Sequence, residues 1–68
     1  MREIAITTDS IRLGQFLKLA DLVDAGSDAK LLLEGGVVQV NGVSEDRRGR
    51  QLIRGDVVTV DGIDLRVA

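Results

Sequence analysis

The chain has 68 residues and a hydrophobic fraction of 44%, which is enough for one small core and excludes two separately folded domains. Phe16 is the single aromatic residue, so this core must consist almost wholly of Leu, Val, Ile and Ala. The formal charge of −2 and the pI of about 4.8, taken alone, argue against a protein that binds nucleic acid.

The charges are distributed unevenly along the chain. Residues 1–40 carry four basic and six acidic side chains, and residues 56–68 carry one basic and three acidic. Residues 41–55 carry four basic and two acidic side chains, so a segment of +2 lies between two segments of −2 each. Since physiological salt screens exposed charges beyond roughly 8–10 Å, the central segment can attract an anionic partner despite the net charge.

The first third of the chain predicts a strand followed by a helix. Residues 2–7 alternate polar and apolar side chains, which is typical of a short strand at a sheet edge. Residues 8–10, Thr-Asp-Ser, offer side-chain oxygens that would cap the first turn of a helix. The helix has a core stripe with the spacing i, i+3, i+4, i+7, formed by Leu13, Phe16, Leu17 and Ala20. Its opposite side is modestly basic and carries Arg12, Gln15 and Lys18.

A second helix follows a short connection in which Gly26 is the expected turn residue. The helix is expected to begin at residues 27–28, where an aspartate complements the helix dipole, and to end at the glycines 35–36, one of them left-handed. Its apolar stripe consists of Ala29, Leu32 and Leu33. Leu31 lies roughly opposite this stripe, where it either packs under the following loop or contacts another protein. Two short helices joined in this way predict a helix-hairpin.

The remainder predicts strands joined by two tight turns. Asn41-Gly42 and Asp61-Gly62 both favour the positive backbone angles of a type I′ turn. The strands beside these turns comprise residues 37–40, 57–60 and 63–67. Residues 45–50 are too polar to be buried, and Leu52-Ile53 is the next apolar anchor. The sum is an α+β fold in which the helix-hairpin packs on a small, bent, mainly antiparallel sheet, as a single domain over residues 1–68.

The sequence offers little for catalysis, metal binding or membrane insertion. Without His or Cys it lacks the usual general base and the thiol nucleophile, and its three serines are expected to cap helices or form turns. The glycine patterns GxxxxGK[ST] and GxGxxG do not occur, and the aspartates near the last hairpin are not expected to hold a metal. A signal peptide and a run of about 18–20 apolar residues are also absent. We therefore expect a non-enzyme without cofactor or metal, soluble in the cytoplasm.

Several motifs between residues 12 and 62 occur in the order typical of one known family. They are RLGQFLK at 12–18, GSDAK at 26–30, GVVQVNG at 36–42, EDRRGR at 45–50 and GDVV at 55–58. In this order and spacing the chain resembles an S4 RNA-binding domain over about three-quarters of its length, and within the family it is similar to the small stand-alone S4 proteins of bacteria. Gly14 departs from the family pattern, because a helix-favouring residue is common there and glycine weakens the first turn by up to ~1 kcal/mol.

The resemblance implies that both helices and residues 45–50 form one RNA-facing surface. Guanidinium groups pair bidentately with phosphate, and structured RNA is recognised largely by its shape and backbone. The implied function is non-catalytic binding of structured RNA, such as ribosomal RNA or a ribosome assembly intermediate, with a ribosomal or assembly protein as a further partner. The implied contacts are six cationic side chains, namely Arg12, Lys18, Lys30, Arg47, Arg48 and Arg50.

A second hypothesis is a protein-interaction adaptor on the same fold with little affinity for RNA. The net acidity, Asp28 and the position of Leu31 away from the core stripe favour it. The sequence leaves open which RNA is bound, how tightly, and whether the protein forms oligomers.

Overall fold

Two helices and seven short strands follow one another along residues 1–25 and 27–68, which are those that the computed structural model describes. The helices are α1 (Leu13–Leu19) and α2 (Gly26–Glu34). The strands are β1 (Arg2–Ile4), β2 (Ser10–Arg12), β3 (Val38–Val40), β4 (Val43–Ser44), β5 (Gln51–Ile53), β6 (Val57–Val60) and β7 (Ile63–Val67). The predicted turn at Gly26 lies outside the described residues. Within those ranges, neither helix is long and apolar enough to cross a bilayer.

The main sheet has five strands in the order β1-β7-β6-β3-β4. The pairs β3–β4, β3–β6 and β6–β7 are antiparallel, whereas β1 runs parallel to β7. The predicted strand near the N-terminus is thus confirmed as an edge strand, and the α+β class is confirmed with a mixed sheet. The bend of the sheet stays a prediction.

Both predicted turns have the expected backbone. Asn41 and Gly42 have φ values of 52° and 82°, and Asp61 and Gly62 have φ values of 50° and 83°. The side chain of Asn41 also fixes the turn to the start of β6, because its Oδ1 accepts from the Val57 amide at 2.9 Å and its Nδ2 donates to a carboxylate oxygen of Asp56 at 3.1 Å. The first turn is therefore held by both its backbone and its side chain.

We expect Asn41→Ala to lower the free energy of unfolding by about 1 kcal/mol, since alanine loses both hydrogen bonds and is disfavoured at positive φ. Asn41→Gly separates the two causes, because glycine keeps the turn and loses only the side-chain bonds. Urea unfolding of both variants measures the difference. Equal stability of wild type and Asn41→Gly would contradict a structural role for the side chain.

The start of α1 differs from the predicted one. Residues 8–10 do not cap the helix: Ser10 belongs to β2, and the Thr8 hydroxyl donates to the Ser10 carbonyl at 2.6 Å. The N-cap position is Arg12, whose side chain makes no capping hydrogen bond. The predicted cap was wrong because β2 pairs with β5, a strand about 40 residues later that the sequence pattern did not indicate.

The core lies between the helices and the main sheet. The predicted stripe of α1 is confirmed, since Leu13, Phe16 and Leu17 are fully buried. The α2 stripe is confirmed at Ala29 and Leu33, and Gly36 has the left-handed φ of 75° expected just after the helix. The sheet contributes the buried side chains Val38, Val40, Val58, Val60, Leu65 and Val67 to the same cluster.

A second, two-stranded sheet joins β2 to β5 and brings the two halves of the chain together. Its antiparallel register pairs Ile11 with Leu52 and Arg12 with Gln51. Leu52 is fully buried, whereas Ile53 is exposed, so only the first of these two residues anchors the segment. This pairing places the residues before β5 beside the first turn of α1.

Candidate nucleic-acid interface

Residues 45–50, hereafter the arginine loop, are folded around a buried carboxylate. Glu45 is only 7% exposed, so the prediction that this segment is too polar to be buried is wrong at its first residue. Its Oε2 accepts from the amides of Asp46 and Arg47 at 3.1 and 3.2 Å and from Arg47 Nε at 3.0 Å. Its Oε1 accepts from Arg47 Nη2 at 3.1 Å and from Arg50 Nη1 at 3.0 Å. These five hydrogen bonds replace the water that the carboxylate loses on burial.

The same contacts keep Glu45 charged. The hydrogen bond from Arg47 is the main cause that lowers the pKa of Glu45 to about 2, burial opposes this shift, and the hydrogen bond from Arg50 adds to it. In turn, the hydrogen bond to Glu45 raises the pKa of Arg47. Near neutral pH the cluster therefore holds two cations and one anion, and the free charge of the loop is smaller than its three arginines suggest.

The arginine loop also caps α1, which explains why no side chain does so. The Leu13 amide donates to the Arg50 carbonyl at 2.8 Å, and the Gly14 amide donates to the Arg48 carbonyl at 2.9 Å. A Cβ at position 14 would lie 3.3 Å from the Cβ of Arg48 and 3.5 Å from its carbonyl oxygen. Gly14 thus lets the loop approach the helix closely.

We expect Gly14→Val to lower the free energy of unfolding by about 1 kcal/mol, because the added side chain pushes the arginine loop away from α1. Gly49→Val, in the arginine loop that packs against Gly14, is the control, since a Cβ at position 49 has nothing within 4 Å. Chemical denaturation of both variants tests this. Equal losses at the two positions would show that close packing at Gly14 is unimportant.

Three of the six predicted cations line one small groove between α1 and the arginine loop. This basic groove, with a volume of about 370 Å³, is lined by Arg12, Lys18 and Arg48. The other lining residues are small or uncharged, namely Gly14, Gln15, Ala29 and Gly49. Within the described part of the chain, no carboxylate lines it. The charged residues of its lining therefore sum to +3, which suits an anion such as phosphate.

Lys30 lies in an adjoining groove of about 680 Å³, which it shares with Arg48. Glu34 and Asp46 line the same groove, so its charges balance. Arg48 belongs to both linings and connects them. Four of the six predicted cations thus line these two adjoining grooves. Lys30 and Arg48 share their groove with carboxylates, whereas the other two line the basic groove alone.

Arg47 and Arg50 occupy a different position, because both are bound to Glu45. The Arg47 side chain is still 73% exposed and that of Arg50 is 35% exposed. The sequence indicated that Glu45 or Asp46 could pair with some of the loop arginines, but it did not indicate which ones, nor the organising role of Glu45. Its position two residues before Arg47 and five before Arg50 was the available signal.

Comparison with known proteins identifies the fold. The family model described as S4 domain matches residues 4–68. This chain belongs to the S4 domain family. The match covers nearly the whole chain, so the resemblance predicted from the motifs at 12–62 is confirmed.

One curated protein and one solved structure are similar to this chain. The S4 domain described here is 51% identical over 59 residues to a Bacillus subtilis (strain 168) protein named "Probable ribosome maturation protein RlbA", which covers 87% of this chain and 83% of that protein. It also superposes on the crystal structure of the 30S ribosomal protein S4e from Thermoplasma acidophilum, with a TM-score of 0.66 and 23% identity. That superposition covers 88% of this chain but only 32% of the ribosomal protein, so it supports the fold alone.

Proposed function

We propose that this S4 domain binds structured RNA without catalysing a reaction, and that phosphate groups of the RNA enter the basic groove. The observation that carries the proposal is the convergence of Arg12, Lys18 and Arg48 on a groove whose described lining has no carboxylate. A guanidinium offers a planar pair of donors to phosphate, and an ammonium offers a compact charge, so the groove combines both kinds of phosphate contact.

The character of the surface favours recognition of RNA shape. Phe16, the single aromatic residue of the chain, is fully buried in the core. Proteins that bind single strands usually stack bases on exposed aromatic rings, which this chain lacks. Recognition through the phosphates of a folded RNA requires no such rings.

We further propose that the RNA is ribosomal and that the protein acts during ribosome maturation. The 51% identity to a protein named as a probable ribosome maturation protein supports this step, because it extends over most of both chains. A cytoplasmic location follows from the proposal. The absence of His and Cys from the sequence favours a purely binding role.

The proposal is tested by titrating the labelled protein with ribosomal RNA fragments over a range of salt concentrations. We expect the logarithm of the binding constant to fall linearly with the logarithm of the salt concentration, with a slope that corresponds to about three to five phosphate contacts. A folded fragment should bind more tightly than the same fragment with its pairing abolished. Equal affinity for both fragments would contradict recognition of structured RNA, and undetectable binding to either would contradict the proposed function.

A further inference from the structure

Another groove, which shares no lining residue with the basic groove, lies between the end of α1 and the exposed side of α2. It has a volume of about 580 Å³, and we name it the acidic groove for its three aspartates, Asp21, Asp24 and Asp28. Its aliphatic lining consists of Leu22, Val23, Leu31 and Leu32. On α2, Lys30 lines the charge-balanced groove that it shares with Arg48, whereas the next residue, Leu31, lines the acidic groove.

The aliphatic lining gives the acidic groove an apolar floor and an exposed rim. Leu22, Val23 and Leu32 are partly buried and pack against the core cluster, so their positions are fixed by the fold. Leu31 is 67% exposed in the middle of a helix. A well-supported apolar floor with one protruding leucine is suited to hold an aliphatic side chain of a partner.

The electrostatics of the acidic groove specify the charge of that partner. Among the lining residues that the structure describes, no lysine or arginine accompanies the three aspartates. None of the ion pairs found in the described residues involves these aspartates. Three unpaired carboxylates around an apolar floor repel phosphate and attract cationic groups, so this groove is complementary to a basic peptide and unsuited to RNA.

Asp21 has an unusual backbone conformation, so a substitution at this position can distinguish an effect on peptide docking from an effect on folding. It follows α1 with φ of 63°, and its amide donates to the Lys18 carbonyl at 3.0 Å. The next amide, that of Leu22, donates to the Leu17 carbonyl at 3.0 Å, which completes a helix C-cap of the kind that usually contains glycine. Glycine at position 21 should therefore favour the fold and remove one carboxylate from the groove.

We propose that the acidic groove docks a basic peptide segment of a partner protein. Lysine or arginine side chains of the segment pair with Asp21, Asp24 and Asp28, and an aliphatic side chain of the segment packs beside Leu31. This interaction is additional to the proposed RNA binding and uses different residues, so either can fail without the other.

The test uses a fluorescent peptide in which arginine alternates with leucine, titrated with the intact protein at physiological salt. We expect Asp24→Asn and Leu31→Ala each to weaken binding by about three- to tenfold, and RNA affinity to stay within about twofold. The matched control is Asp9→Asn combined with Asp61→Asn, because both aspartates are exposed and lie outside the described groove linings. A peptide with citrulline for arginine, and one with serine for leucine, should each bind more weakly.

Asp21→Gly gives the sharpest result. We expect its melting temperature to rise by several degrees, since glycine adopts this positive φ without the steric strain of a side chain, while the peptide binds more weakly. Binding that falls equally in the control variant, or that ignores the loss of leucine from the peptide, would reduce the interaction to non-specific attraction and overturn the proposal. Concentration-dependent self-association that is abolished by Leu31→Ala would overturn it in favour of a second copy of the chain.

Discussion

Replacing Glu45 with Gln is expected to lower the free energy of unfolding by about 2–3 kcal/mol. The carboxylate accepts five hydrogen bonds inside the arginine loop, shared between both of its oxygens. A glutamine side chain has the same shape but replaces one oxygen with an amide group that cannot accept from the surrounding donors. In a domain of this size the loss corresponds to about 10–20 °C in melting temperature, which circular dichroism measures directly.

The effect of this substitution is expected to depend on pH. The pKa of Glu45 is about 2 in the folded protein, against a usual value of 4.5, mainly because Arg47 hydrogen-bonds to the carboxylate. A carboxyl group whose pKa is lowered by folding stabilises the protein fully above its unfolded-state pKa and loses this contribution as the pH falls toward the folded-state value. The stability difference between wild type and Glu45→Gln should therefore be largest above pH 5 and shrink between about pH 4.5 and 2.

Glu34→Gln is the matched control, because Glu34 is an exposed glutamate near the end of α2. We expect this variant to differ from wild type by no more than about 0.5 kcal/mol. Urea denaturation of the three proteins at several pH values separates the two sites. A stability difference for Glu45→Gln that stays constant from pH 7 to pH 3 would show that the Glu45 carboxylate is not held in its charged form by the loop.

Features that depend on neighbouring residues could be predicted from the sequence. The turns at Asn41-Gly42 and Asp61-Gly62 occur as predicted, since only a few residue types accept two consecutive positive φ values. The buried stripe of α1 follows from spacing alone, because an amphipathic helix has to place Leu13, Phe16 and Leu17 on one side.

Features that depend on distant pairing could not be predicted in this way. The β2–β5 pair joins Ser10 to Ile53, and these short strands have no alternation long enough to reveal their partner. The first amides of α1 donate to backbone carbonyls of the arginine loop. Every residue has a backbone carbonyl, so the residue types of the loop do not indicate this cap. Gly14 consequently looked like a weakness of the helix, although the structure uses its missing side chain to admit Arg48.

The residues of the candidate site could likewise be predicted only in part. The residue types predicted that arginines of the loop and cations of the helices would face a common partner. The neighbouring Glu45 and Asp46 indicated that some loop arginines could be paired, but not that Glu45 alone binds both Arg47 and Arg50, because residue types do not show which carboxylate is buried. Arg48 is consequently the loop arginine that the structure places in the basic groove.

Removal of all three cations from the basic groove is expected to produce the largest change in RNA binding. In the variant Arg12→Ala, Lys18→Ala, Arg48→Ala, we expect at least about a tenfold loss of affinity for ribosomal RNA fragments at physiological salt. The slope of the salt dependence should fall by about two to three, since each lost phosphate contact releases one counterion fewer. The fold should persist, because the three side chains are exposed and none takes part in the Glu45 cluster.

Single substitutions show whether RNA affinity depends on where an arginine lies or only on its charge. Arg48→Ala and Arg66→Ala each remove one exposed arginine, but Arg66 lies on β7 and contacts Glu3 at 3.6 Å, away from the groove. We expect a severalfold loss of affinity for the first variant and less than a twofold change for the second. Arg48→Lys should bind with intermediate affinity, since lysine retains the charge but not the paired donors of a guanidinium. Equal losses of RNA affinity in Arg48→Ala and Arg66→Ala would mean that binding depends only on the total charge of the protein. That result would contradict the proposal that the basic groove is the contact site.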